Sequence, residues 1–352
     1  MILRRHISGV VASRILSAMA AFVGVLQVLD MLDVTNDIME RHLGIGGVLY
    51  YALLRTPVLV EQVAPLSVLV GCLFAFLKLA REDTIVILSS AGVSVYRLVA
   101  MALPAAVAIA ALHFATIQWI SPKAEQTLTT WWAKSAPPNT DEERKLKSMR
   151  VGNDVLIASM DDETGTKLSN FGLYRRDASG NLIQRTFAKT AAFGPNGWRL
   201  DKPDFEMIGK GNVQRGSASE LIWAEGPLPQ DVRSIFSGSQ SITPGTARRA
   251  LEGGAAVQPP AYYRFELLRG WAAPATALVM LLLASPVMFV HARSGGVPIL
   301  LLCLGAGLSF LVINGILAAL GQSGNLPPLL AAWAASGIFG CLALTALVYT
   351  EG

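Results

Sequence analysis

The sequence predicts a membrane protein of six transmembrane helices in two triplets, with an antiparallel β domain inserted between the triplets. Three observations lead to this fold class. First, 52% of the 352 residues are apolar and only 15% are charged, which is too apolar for an ordinary soluble protein. Second, long stretches without charge lie towards both ends of the chain. Third, the middle of the chain has short apolar runs separated by turn residues, a pattern typical of strands.

Four stretches contain no Asp, Glu, Lys or Arg. They are residues 98–120, 270–290, 297–320 and 326–349. Each is long enough to cross a hydrocarbon core of roughly 30 Å. Only residues 321–325 join the last two, so we expect these spans to pack as a hairpin.

Two further predicted spans carry polar side chains. The first covers residues 15–35 and the second about 48–77. Since the second is longer than a bilayer requires, we expect its polar end, residues 50–62, to project into water. Pro57 and Pro65 are expected to kink it.

Positively charged segments between the spans predict the orientation. Their basic residues are Arg4, Arg5, Arg14, Lys78, Arg81, Arg97, His291 and Arg293. These segments are expected to face the cytoplasm, and with an even number of spans both termini lie there too. The stretch from 121 to 261 is therefore predicted to lie outside, on the opposite side of the membrane.

The predicted division of the chain is 1–120, 121–261 and 262–352. The middle part contains apolar runs at 154–160, 171–176, 182–187, 191–193, 198–200 and 220–223. Residues 177–180 and 195–197 tolerate positive φ and predict hairpin turns. Residues 237–260 are rich in Ser, Gly, Pro and Ala, so we expect a loose return to the membrane.

Several function classes lack their sequence signatures. The chain has no phosphate-binding loop, nucleophile elbow or metalloprotease helix, so we predict no catalytic residue. Cys72, Cys303 and Cys341 are too far apart for a local metal motif, and we predict no metal site. No dense basic block indicates nucleic-acid binding. For His113, alone in the third span, helix packing is favoured over a ligand role.

An acidic cluster occupies the outer end of the first span. Asp30, Asp33 and Asp37 are spaced three and four residues apart, which places them on one helical face beside Glu40 and Arg41. Either this end stands in interfacial water, or the face lines a polar cavity. An intramembrane hydrolase that uses these acids is a third hypothesis.

Residues 78–97 join the second and third spans. A charged entry is followed by apolar residues 85–88 and by the small residues 89–94. The pattern fits a short amphipathic helix on the cytoplasmic surface, which would dock into a motor protein. An ordinary connector fits the pattern as well.

Residues 79–94 resemble the coupling-helix segment of the LptF/LptG permeases, the transmembrane subunits of the lipopolysaccharide exporter. Further similarities occur in the same order at 119–126, 171–174, 188–193, 198–200 and 326–329. Each motif is weakly specific, but their order and the three-plus-three helix layout identify the chain as a member of this family. The periplasmic motifs resemble the LptG branch more than the LptF branch.

The resemblance implies a periplasmic β-jellyroll and a permease that extracts lipopolysaccharide from the outer leaflet of the inner membrane. It implies no enzymatic activity and no directly bound cofactor, since ATP and Mg would be held by an LptB-like ATPase dimer. Other implied partners are an LptF-like permease subunit, an LptC-like membrane-anchored jellyroll protein and an LptA-like periplasmic bridge. An LptF-type subunit and a force-transmitting scaffold without a lipid substrate are the alternatives.

The resemblance also implies two sites. The ATPase-coupling residues are Arg81, Glu82, Asp83, Thr84, Ile85, Leu88 and Gly92. The residues of the lipid cavity or lateral gate are Leu29, Asp30, Asp33, Asp37, Arg41, Gly305, Ile313 and Asn314. Thr84 stands where the family usually has Glu, and Glu82 and Asp83 directly precede it. The resemblance therefore carries over the position of the coupling helix but not the chemistry of its acidic contact.

Two parts of this assignment have alternatives. Asp37 and Arg41 stand in the region where family members carry lysines that meet lipid phosphates, so phosphate binding there is an open question. Apolar residues of the outer domain would shelter acyl chains or simply fill a β core. They are Leu156, Phe171, Leu173, Phe193 and Trp198.

Overall fold

The computed structural model describes residues 2–82, 84–135, 146–162, 164–177, 179–209, 212–236, 243–289 and 297–351. The chain divides into two compact units. The membrane unit comprises Met1–Glu125 and Arg264–Gly352, and the β unit comprises Gln126–Tyr263.

The helices are α1 (Ile2–Glu40), α2 (Gly44–Arg81), α3 (Thr84–Ser90), α4 (Val95–Ala115), α5 (Ser121–Lys134), α6 (Pro229–Phe236), α7 (Pro244–Leu251), α8 (Pro260–Ala284), α9 (Val297–Ser323) and α10 (Pro328–Glu351). A π-helical turn, Thr116–Ile120, joins α4 to α5, and a 3-10 turn, Ser285–Phe289, follows α8.

Six helical spans in the described part of the chain are long and apolar enough to cross a membrane. The six predicted helices are therefore confirmed, including the two with polar interruptions. Both of those are longer than predicted, because α1 has 39 residues and α2 has 38. At 1.5 Å per residue each exceeds the roughly 30 Å hydrocarbon core, so each extends beyond it.

Helix α2 lies at the centre of the membrane unit and contacts both α1 and α9. A methyl group at Gly71 would overlap the Cα of Ile15 on α1, and one at Gly307 of α9 would overlap the side chain of Leu69. Leu69 and Gly71 are two residues apart, which turns them about 200° from each other around the α2 axis. Helices α1 and α9 therefore pack on opposite sides of α2.

The strands of the β unit are β1 (Lys147–Val151), β2 (Asp154–Met160), β3 (Lys167–Arg176), β4 (Leu182–Gly194), β5 (Gly197–Asp201), β6 (Asp204–Gly209), β7 (Asn212–Ser217), β8 (Glu220–Trp223) and β9 (Ala255–Ala256). Their order is β7-β6-β4-β3-β2-β1-β9, with β5 between β4 and β8. All of these pairs are antiparallel. The predicted antiparallel domain between two helical triplets is confirmed.

Turn chemistry explains the hairpins of this sheet. Between β4 and β5, Gly194 pairs with Gly197, whose φ of +112° a residue with a side chain rarely adopts. The long strand β4 pairs with two different strands along one of its edges. Its first half pairs with β6 and its second half pairs with β5.

The chain between β8 and α8 is more regular than a loose linker over its described part. Thr243 caps α7 by accepting a hydrogen bond from the backbone N–H of Thr246 at 3.1 Å, and Pro244 occupies the first turn. Strand β9 then pairs with β1. Thr243 and Pro244, which were predicted to lie in a loose linker, therefore begin a helix. Residues 237–242 of the predicted linker lie outside the described part of the chain.

Candidate functional site

The predicted gate residue Asp30 lies in a polar seam between α1 and α2. Its Oδ1 accepts a hydrogen bond from Nε of Arg55 at 3.3 Å, and both side chains are largely buried. Three residues earlier on α1, Gln27 Oε1 accepts from the hydroxyl of Thr56 at 3.5 Å. Asp30 is therefore bound to the neighbouring helix of its own chain.

The other predicted gate residues of α1 differ from Asp30 in exposure. Asp33 and Asp37 are exposed, Leu29 is 53% exposed, and Arg41 is half-buried. The acidic face predicted from the sequence therefore divides into one acid that holds α1 to α2 and two acids at the surface of the membrane unit. That arrangement gives no support to a pair of catalytic carboxylates.

The predicted gate residues of α9 lie mostly at the surface. Gly305 has open space where a side chain would be, Ile313 is 38% exposed, and Asn314 is half-buried. Gly307, two residues from Gly305, is the glycine that contacts α2. Since α1 and α9 lie on opposite sides of α2, the structure does not bring the two halves of the predicted gate together within one chain.

Helices α1 and α9 are the two most exposed spans of the membrane unit. Only 11% of the most apolar window of α1 and 17% of that of α9 are buried, against 67% for α2. The exposed side chains are large and apolar, for example Val28, Leu32 and Val312. Both helices thus present apolar faces to lipid or to another protein.

The predicted coupling segment contains α3, a helix of seven residues. Ile85 is buried and Leu88 is half-buried against the core of the membrane unit, whereas Ile87 is 63% exposed. The inward residues therefore attach α3 to its own chain, and Ile87 presents a large apolar side chain outward.

The flanks of α3 are polar and accessible. Arg81 and Glu82 are exposed, and Thr84 is half-buried. The Oε1 atom of Glu82 lies 3.7 Å from Nζ of Lys78. Asp83, predicted as a coupling residue, lies outside the described residues. An accessible acidic group therefore remains next to α3 in the form of Glu82.

A glycine-based stop ends α3. Gly92 has a φ of +80°, and the N–H of Val93 donates to the carbonyl of Leu88 at 3.0 Å, the six-to-one bond of a Schellman motif. Ser94 then caps α4 by accepting from the N–H of Arg97 at 3.4 Å. Gly92 therefore ends α3, and Ser94 begins α4.

Sequence reasoning missed a polar network in the membrane unit. Arg269 of α8 donates to Glu61 of α2 at 3.4 Å and to Glu266 at 3.2 Å, and Gln322 of α9 donates to Glu266 at 3.0 Å. Both carboxylates are mostly buried. The network joins three helices, and its only local signal was the presence of Glu61 within an apolar span.

The apolar residues suggested for acyl-chain shelter form the core of the β unit. Leu156, Phe171, Leu173 and Trp198 are buried together, and Phe193 packs against them. The indole Nε1 of Trp198 donates to the carbonyl of Pro227 at 2.7 Å, which satisfies its polar atom. In this structure these side chains pack against one another as a β core.

Comparison with known proteins agrees with this architecture over nearly the whole chain. The family described as lipopolysaccharide export system permease LptF/LptG matches residues 5–349. The lipopolysaccharide export system permease protein LptG of Haemophilus influenzae is 22% identical, over 96% of this chain and 95% of that protein. With six membrane helices and an inserted antiparallel domain, the chain belongs to the LptF/LptG family of lipopolysaccharide export permeases, which are transporter subunits rather than enzymes.

Proposed function

We propose that this chain is an LptG-type permease subunit that pairs with an LptF-like subunit and extracts lipopolysaccharide from the outer leaflet of the inner membrane. The observation that carries the proposal is the exposure of α1 and α9, which lie on opposite sides of α2 and leave two apolar edges on the chain. A second permease subunit with the same layout would meet both edges and close a cavity between them.

The positions of the gate residues support this arrangement. Leu29 and Ile313 lie on the two exposed edges, near Asp33 and Asn314 in sequence, so that each edge carries apolar and polar groups. An amphipathic lipid requires both kinds of surface. Small residues such as Gly305 leave space for a close approach by a facing helix or an acyl chain.

Energy for transport would come from an LptB-like ATPase dimer that holds ATP and Mg and docks on α3. Ile85 and Leu88 attach α3 to the membrane core, and short turns connect it to α2 and α4. A push on the exposed Ile87 would therefore act on the whole membrane unit. The lipid would then pass to the β unit and on to LptC-like and LptA-like jellyroll proteins.

The charge distribution supports a cytoplasmic location of both termini and of α3. Basic residues flank the start of α1, the end of α2 and the start of α4. Such segments stay on the cytoplasmic side during insertion. With this orientation the β unit lies in the periplasm, on the side to which the lipid is exported.

The test is site-specific photo-crosslinking in cells. A photoreactive amino acid at Leu29 or Ile313 should form lipopolysaccharide adducts that depend on ATP hydrolysis by the partner. The matched control is Leu342 of α10, which is 56% exposed but lies on neither edge, and which should give no such adducts. Protein-only adducts at Leu29 and Ile313 would instead support the scaffold alternative.

A further inference from the structure

A basic groove lies between the start of α1 and the end of α2. Its volume is about 390 Å³, and four of its lining side chains carry or can carry positive charge. They are Arg5, His6, Arg14 and Lys78. Among the residues that the structure describes, no carboxylate lines the groove. Its electrostatic character is therefore that of an anion site.

The groove follows from two stripes of side chains on α1. Ile7, Val11 and Ile15, four residues apart, are buried in the membrane core. On another face, Gly9, Ser13 and Ser17 repeat with the same spacing and are exposed. A helix face turned towards acyl chains would ordinarily carry large apolar residues. This face instead has small residues that leave room beside the backbone.

Lys78 of α2 is held beside this face by close helix packing. Gly71 of α2 touches Ile15 of α1, and Lys78 lies seven residues, or about two turns, further along α2. The two helices therefore supply their cations to the same groove.

Most of the positive charge of the groove is not neutralised within the described residues. Neither Arg5 nor Arg14 has an acidic partner there. Lys78 lies 3.7 Å from Glu82, but both side chains are about half exposed, and such surface pairs are weak. Positive charge is thus available for an external anion.

The position of the groove relative to the bilayer indicates which kind of anion would bind there. Arg14 directly precedes the charge-free stretch of α1 that runs from Ile15 to Leu29, so the groove lies where the hydrocarbon core meets the headgroup layer. Leu16, beside Arg14, is 49% exposed and offers a surface for an acyl chain. A phosphate with attached acyl chains matches both features.

We propose that this groove binds the phosphate of an anionic phospholipid in the leaflet around the start of α1. The site is separate from the gate residues at the other end of α1, and the bound lipid is a permanent neighbour rather than the exported cargo. Basic pockets between helices at the membrane boundary recognise anionic headgroups in this way.

The test uses the purified full-length chain in detergent, without ATPase and without lipopolysaccharide. Native mass spectrometry would measure retention of phosphatidylglycerol against phosphatidylcholine. The wild-type chain should prefer phosphatidylglycerol, and each lost cation should lower its occupancy about fivefold. The double variant R14Q/K78Q should therefore lower the occupancy of phosphatidylglycerol about 25-fold relative to wild type and leave that of phosphatidylcholine nearly unchanged.

The matched control is R4Q/R97Q, which removes two basic residues at the same end of the membrane unit but outside the groove. It should keep the preference for phosphatidylglycerol. Equal retention by both double variants, or equal loss in both, overturns the proposal. Displacement of the lipid by inorganic phosphate at comparable concentration would also overturn it, since the site would then recognise free phosphate. Because no transport is measured, failure here leaves the export proposal intact.

Discussion

His113 on α4 completes a hydrogen bond that Pro65 removes from α2. Its Nε2 lies 3.2 Å from the backbone carbonyl oxygen of Glu61, the residue four positions before Pro65. In a regular helix that carbonyl would accept from the N–H of residue 65, which proline lacks. The buried imidazole therefore supplies the missing donor and joins α4 to α2.

Replacement of His113 by Leu should destabilise the chain by about 1–3 kcal/mol, because the carbonyl of Glu61 is left buried without a donor. Thermal unfolding of the purified protein in detergent measures this loss. P65A restores the backbone N–H, so the double variant P65A/H113L should recover part of the stability. If the two substitutions act independently, the proposed relationship between His113 and Pro65 is wrong.

The Asp30–Arg55 pair leads to a second prediction about α1. D30N should lower stability by about 2 kcal/mol, since it leaves the guanidinium of Arg55 partly buried without its carboxylate. D33N should change stability little, because Asp33 is exposed on the same helix. Comparison of the two unfolding temperatures tests whether the acids share one role. Similar losses in both variants would contradict the division of the acidic face.

Arg269 joins two mostly buried carboxylates, so its loss should be more harmful than the loss of either acid. R269Q leaves Glu61 and Glu266 close together without their shared cation, whereas E61Q keeps the pair of Arg269 with Glu266. We expect a cost of about 2 kcal/mol for R269Q and less for E61Q. R264Q is the control: Arg264 is an exposed arginine of the same helix with no carboxylate partner in the described residues, so this variant should unfold like wild type.

The sequence predicted the membrane helices and strands β2, β3, β4, β5 and β8, because these depend on local patterns. It did not predict β1, β6, β7 or β9. Strand β8 has the predicted bounds, since apolar residues end there at turn residues. Strand β7 was missed because it is polar. Within the described part of the chain it pairs with β6 alone, at the edge of the sheet, and its side chains need no buried face.

The polar contacts of the membrane unit were beyond prediction for a different reason. Asp30 and Arg55 are 25 residues apart, and Glu61 and Arg269 are 208 apart, so neither pair leaves a periodic signal. The acids of α1 have helical spacing, which correctly places them on a common stretch of helix. Spacing alone does not reveal that α2 carries an arginine opposite only one of them.

Asp162 predicts how the β unit responds to acid. Burial tends to raise the pKa of its carboxyl group, but hydrogen bonds from the hydroxyls of Thr164 and Thr166 and from backbone N–H groups outweigh burial and lower the pKa from 3.8 to about 2. The folded state therefore binds fewer protons than the unfolded state between these two values. This contribution to stability is present above pH 3.8 and is lost as the pH falls towards 2.

D162N should remove that contribution and lower the free energy of unfolding by about 1 kcal/mol at neutral pH. The difference between wild type and D162N should shrink below pH 3.8 and vanish near pH 2. Hydrogen exchange at the β2–β3 hairpin of the full-length protein reports on this region directly. A difference that does not change with pH would contradict the stated role of the ionised carboxylate.

The two isoleucines of α3 should have separable effects on the proposed docking of an ATPase partner. I87E places a charge on the exposed side chain and should reduce co-purification of the ATPase partner more than tenfold, with little change in unfolding temperature. I85A instead opens a cavity against the membrane core and should cost about 2 kcal/mol of stability, while folded molecules still bind the partner. I87L keeps an apolar surface and should bind normally. If I85A abolishes docking in folded protein while I87E does not, the docking face of α3 is the opposite one.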